Sequence, residues 1–151
     1  MKRKTPFFLL LLVFFAPACQ KYNVGPSPVP WVSVNTTIDY STPLYSALSS
    51  PGGYLYLVNV GYKGIIVLQN NDGTFHAYDR TCPYHVKSSC GVVLMSIDGS
   101  GILCGSYSGT NFNACCASEY AFDGSVVSGP SKFSLKAYTV KKTGTVLTIT
   151  N

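Results

Sequence analysis

The chain has 151 residues, 46% hydrophobic and only 11% charged, with 11 basic against 6 acidic side chains and a formal charge of +5. At this length one domain is expected, and low charge combined with many Gly, Tyr and Phe excludes a disordered chain and favours a globular, β-rich one. The basic excess does not indicate nucleic-acid binding: without Lys2, Arg3 and Lys4, 8 basic groups face 6 acidic ones, a balance of +2 with no basic stripe.

Those three cations open a secretory signal layout over residues 1–18. An apolar run from Phe7 to Phe15 follows them, and it ends on the small-residue stretch Ala16-Pro17-Ala18, too short to span a bilayer well. Cys19, directly after that stretch, resembles the cysteine of a bacterial lipobox, although Ala16 stands where the common pattern has Leu. The resemblance implies cleavage before Cys19 and lipid attachment to its sulfur, with several acyl chains holding the protein to a membrane. Gln20 rather than an acidic residue follows, which by the same resemblance implies the outer membrane, with either a periplasmic or a surface-facing orientation. Residues 19–30, with three Pro and one Gly, read as a tether, and the folded domain is expected over 31–151.

Within that domain, "VSVNTTIDY" (32–40) alternates so that Val32, Val34, Thr36, Ile38 and Tyr40 share one face of a strand. Residues 41–53 read as a loop with a helical turn at 43–48. "YLYLVNV" (54–60) and "GIIVLQ" (64–69) are strands, and "NNDG" (70–73) is a hairpin turn, because Asn, Asp and Gly tolerate positive φ. "TFHAYD" (74–79) is the returning strand. Further on, "GVVLMSI" (91–97) and "GILCGSY" (101–107) are strands and "SGTNFN" (108–113) a loop. Two hairpins close the chain, "SEYAF" with "SVVSG" and "SLKAYTVKK" with "TVLTIT". Nine or ten short strands and no long helical period predict an all-β, antiparallel sandwich or small barrel.

Six cysteines stand at 19, 82, 90, 104, 115 and 116; with Cys19 acylated, five remain. An exported chain favours disulfides, and an odd number leaves at least one thiol free, metal-bound or paired between chains. Cys82 and His85 follow the strand "TFHAYD", while Cys115 and Cys116 precede "SEYAF", which places two Cys-containing loops at one end of the sandwich.

This layout, "GIIVLQNNDGTFHAYDRTCPYH" with "CCASEYAFDGSVVSGPSKFSLKAYTV", resembles a Rieske iron–sulfur domain over about residues 60–150. "LSSPGGY" (48–54) adds a resemblance to the Rieske-like lipoproteins of Bacteroidetes. The family implies one-electron transfer through a two-iron, two-sulfur cluster held by two Cys and two His. Here Cys82 matches a ligand place, but Tyr84 stands in the histidine place and His85 one position later. Counting back from Asp123-Gly124 puts Asn113 in the second ligand-Cys place, Cys115 in a disulfide place and Cys116 in a histidine place. The resemblance also implies a Cys90–Cys115 disulfide and a proline-containing cover at "SGP" (128–130).

Three arrangements stand open. In the first, which is the working expectation, no cluster forms and the fold serves as a non-enzymatic accessory or binding subunit of the cell envelope, within a larger complex. In the second, an altered set of Cys82, His85, Cys116 and Cys104 holds zinc or an unusual iron–sulfur cluster. In the third, residues 105–115 are an inserted loop, Cys104 is the ligand Cys, and a two-iron, two-sulfur electron carrier results. His76 alternates outward in its strand. No Ser/His/Asp set, carboxylate pair or phosphate-binding glycine loop supports hydrolysis or nucleotide chemistry.

Overall fold

A computed structural model describes residues 26–151. The signal segment, Cys19 and the first part of the tether lie outside the described residues.

Ten strands among the described residues form two antiparallel sheets, and the fold is all-β. The larger sheet curls as a half-barrel in the order β1 (Asn35–Asp39), β10 (Val146–Thr150), β9 (Ala137–Thr143), β4 (Phe75–Asp79), β3 (Ile65–Gln69) and β2 (Tyr54–Leu57). The smaller runs β5 (Val93–Met95), β6 (Ile102–Ser108), β7 (Asn111–Tyr120) and β8 (Val126–Ser128). The expected helical turn is a 3-10 helix over Pro43–Ser49.

Strand β3 shows why the chain needs two sheets. Ile65, Ile66, Val67 and Leu68 are all buried, so both faces of this strand are covered. Ile66 and Leu68 join Tyr78, Val93, Met95, Ile102 and Tyr120 in the core between the sheets. Ile65 and Val67 point the other way, into the curl of the half-barrel, with Val34, Ile38, Ala77, Leu147 and Ile149. A strand buried on both faces reads as a continuous apolar run, as "IIVL" does. β1 lies at the sheet edge, and there the predicted alternation appears directly, with Val34 just before the strand and Ile38 within it buried and Ser33, Asn35 and Thr37 exposed. The "NNDG" turn closes with Asn70 N–H donating to the Thr74 carbonyl at 2.8 Å and Gly73 at φ +81°.

One segment departs from the sequence reading. Residues 108–113 were expected as a loop; instead a tight turn at Gly109 (φ +61°) joins β6 to β7, and Asn111–Asn113 belong to β7. The polar residues that signal a loop here face solvent from a hairpin arm, paired as Tyr107↔Phe112, Ser106↔Asn113 and Gly105↔Ala114. Phe112 packs on Tyr107 at 5.1 Å, and it also lies over Gly105, where an added Cβ would meet its ring at 2.8 Å. The second Cys-containing segment is therefore part of a strand rather than a loop.

Candidate metal centre

The register of β6 against β7 makes the site. Leu103 pairs with Glu119 and Gly105 with Ala114, so Cys115, Cys116, Ala117 and Ser118 bulge out opposite the single residue Cys104. A bulge of this kind leaves residues unpaired and re-aims their side chains. Cys116 and Cys104 thereby turn toward one point. The chain from Gly129 to Ser131 crosses the bulge so closely that a Cβ at Gly129 would lie 2.0 Å from the Ala117 carbonyl oxygen. Gly129 also has φ +93°, so the position accepts only glycine without rearrangement. Ser131 N–H donates to Ser118 Oγ at 3.1 Å, and Cys116 Sγ donates to the same oxygen at 3.3 Å.

Cys82 reaches the point from the other side. It opens a loop that closes on itself through three successive turns, His85 N–H to Cys82 O, Ser88 N–H to His85 O and Gly91 N–H to Ser88 O, each 3.0–3.1 Å. Cys82 N–H then returns to Gly91 O at 3.0 Å, and Lys63 Nζ donates to the Ser88 and Gly91 carbonyls at 2.6 and 3.1 Å. Gly91 fits because a Cβ there would lie 1.9 Å from the His85 carbonyl oxygen. The Cys90–Cys115 disulfide, with Cα atoms 5.4 Å apart, fastens this loop to the bulge. That is the pairing the Rieske resemblance implies.

The Sγ atoms of Cys82, Cys104 and Cys116 all lie within 4.8 Å of one another, and Cys82 and Cys116 are 3.7 Å apart. Cys82 and Cys104 are fully buried, and Cys116 half-buried. The Cys104 thiol donates toward Cys82 and holds the Cys82 thiol down, to about 5 against an ordinary value of 9.0. Burial opposes that shift, while backbone N–H groups of Tyr84 and His85 and the Tyr120 hydroxyl support it. Cys104 moves far upward, because its proton serves the Cys82 thiolate and because it is buried. Tyr120 Oη lies 3.8 Å from Cys82 Sγ, and burial pushes that hydroxyl up. Cys82 is thus the thiol of the pair that ionises the more readily and Cys104 the one that holds its proton, and a metal ion binding here would displace thiol protons.

Of the four candidate metal residues, Cys82, Cys104 and Cys116 come together, whereas His85 does not join them. Its ring lies edge-on to Tyr84 at 4.7 Å, on the outer part of the loop, where Tyr84 is 52% exposed. The one-residue offset after Cys82 is enough to turn the imidazole away, because His85 N–H is committed to the first turn of the loop. Asn113, which the resemblance puts in the second ligand-Cys place, lies apart from the thiols. Asn113 is exposed on the hairpin arm opposite Ser106, and Cys104 stands beside Cys82 instead. Ser118, Ser131 and Tyr120 were not singled out by sequence; an alternating strand pattern gives no sign that a serine will face a thiol.

A two-iron, two-sulfur cluster of the Rieske type requires two imidazoles on one iron. Among the described residues no histidine joins the thiols, and His76 stacks on Tyr78 in β4. The residues present do not fit that group. No family model matches the chain, and no curated protein matches it significantly.

Proposed function

We propose that the protein is an exported, lipid-anchored, Rieske-like domain that acts as a non-catalytic binding component of the cell envelope. In this reading the place of the family's cluster has become a thiol site for one soft metal ion. The observation that carries it is the convergence of three thiols. Two thiolates at about 2.3 Å from one tetrahedral ion are separated by about 3.8 Å, and Cys82 and Cys116 stand 3.7 Å apart. The third sulfur, within 4.8 Å of both, needs only a small inward movement. The fold resemblance, the Cys90–Cys115 staple and the buried Cys82 support this reading, since Cys104 and Cys116 gather around Cys82 where a plain scaffold would not require three thiols to meet.

The test is composition. Aerobically purified protein is expected to carry about one metal ion per chain and no acid-labile sulfide, and the triple variant C82S/C104S/C116S to carry none. Iron and sulfide near two per chain, with visible absorption bands, would favour a one-electron carrier instead. Metal-free wild-type protein, unable to take up any ion once reduced, would refute the metal reading. Anchoring is tested separately. Cys19→Ala should move the protein from the membrane fraction to the soluble fraction, and unchanged fractionation would count against the lipid.

A further inference from the structure

The donor set points to a particular ion. We infer that the site is three-coordinate and selective for monovalent copper over zinc, an inference that rests on the metal reading above. Among the described His, Cys, Asp and Glu residues, the three cysteines alone gather at the point, and no imidazole or carboxylate joins them. The hydroxyls in contact with the thiols are neutral, Tyr120 Oη at 3.8 Å from Cys82 Sγ and Ser118 Oγ at 3.3 Å from Cys116 Sγ. Ser118 is already engaged, accepting from Ser131 N–H. Asp79, the nearest buried carboxyl in sequence, accepts from the Tyr62, Lys63 and Thr81 N–H groups and from the Thr81 and Tyr138 hydroxyls, so it is not available either.

Zinc with three protein ligands completes its tetrahedron with water at an open position, and closed zinc sites have four protein ligands. Among the described residues this site offers no fourth protein ligand, and its opening is small: Cys82 and Cys104 have no exposed surface, Pro83 beside them is buried, and solvent reaches Cys116 only in part. Thiolate sulfur is a soft ligand that suits monovalent copper as well as zinc, so ligand type alone does not decide between them; the coordination number does, because three sulfurs without a water place satisfy monovalent copper and leave zinc one ligand short.

The full chain, purified in detergent under anaerobic conditions and stripped of metal, would be titrated with the acetonitrile complex of monovalent copper and separately with zinc chloride. One copper per chain is expected, with three sulfur neighbours by X-ray absorption and tighter binding than zinc. Cys104→Ser should weaken copper binding by at least about 100-fold, the upper end of what loss of a supporting partner does elsewhere. Non-reducing mass spectrometry should show Cys90–Cys115 intact in that variant, which separates a lost ligand from a lost fold. Zinc held more tightly than copper would overturn the inference and leave the metal reading standing. Two-sulfur copper, indifferent to Cys104→Ser, would overturn it too, as would several coppers per chain. Failure of both ions to bind would overturn this inference and the metal reading together.

Discussion

Asp79→Ala should cost of order 4 kcal/mol and leave the domain close to its unfolding limit at 25 °C. The carboxyl is fully buried at the end of β4 and collects five donors. Tyr62 N–H donates at 2.6 Å, Thr81 N–H at 2.9 Å and the Tyr138 hydroxyl at 2.8 Å, with Lys63 N–H more distant at 3.4 Å and the Thr81 hydroxyl adding a short contact. Each buried donor left without an acceptor costs about 1–3 kcal/mol. The sum, even discounted for relaxation and water entry, is a large part of the 5–15 kcal/mol that holds a typical domain together. Gly61 (φ +81°) is part of the same arrangement, since a Cβ there would press on Asp79 Oδ2 at 2.8 Å and Tyr138 Oη at 3.0 Å. Urea unfolding followed by circular dichroism reads the loss. Asp79→Asn, which keeps one acceptor oxygen, should fall between wild type and Asp79→Ala. A cost below about 1 kcal/mol for the alanine variant would show that the five donors find other partners.

The same carboxyl links fold to site. It ties the turn before β3 and the β9 tyrosine to Thr81, whose backbone bridges Val92 and whose next residue is Cys82. Loosening Asp79 therefore frees the start of the Cys82 loop, and alkylation of Cys82 should accelerate in Asp79→Asn before global stability is lost.

The parts of this molecule legible in the sequence are those encoded by local period and turn chemistry. "IIVLQNNDGTFHAYD" gives two strands and their turn because alternation, Asn-Asp-Gly and strand length all act within a few residues. The Cys90–Cys115 pair was reachable through the resemblance, and it forms. Two features were not legible. The bulge opposite Cys104 depends on register between β6 and β7, and register is a property of two strands that no single strand displays. The exclusion of His85 depends on the turns at 82–91, which set its ring against Tyr84 rather than among the thiols. Residue types thus announced a thiol-rich site, while the choice among thiols and imidazole was made by backbone geometry.

Breaking the staple should lower stability by about 3.5 kcal/mol and open the site at the same time. Cys90 and Cys115 are 25 residues apart, and closing a loop of that length removes entropy from the unfolded chain worth roughly that amount. For a domain of this size the double variant C90S/C115S should melt about 10–15 °C lower, measured by calorimetry under non-reducing conditions. The second consequence is local. Cys115 and Cys116 are neighbours in the bulge, and Cys90 closes the loop that Cys82 opens, so the disulfide sets how far the two sides of the thiol site can part. Without it the loop keeps its three internal turns and the Lys63 contacts, but its seating on the bulge rests on the Thr81–Val92 bridge and on packing around Cys82. Metal affinity should then fall while the β-rich circular dichroism spectrum persists below the new melting point. A variant that melts lower yet binds metal as tightly as wild type would show that β6, β7 and the loop turns position the sulfurs by themselves, and that the disulfide acts on the unfolded chain alone.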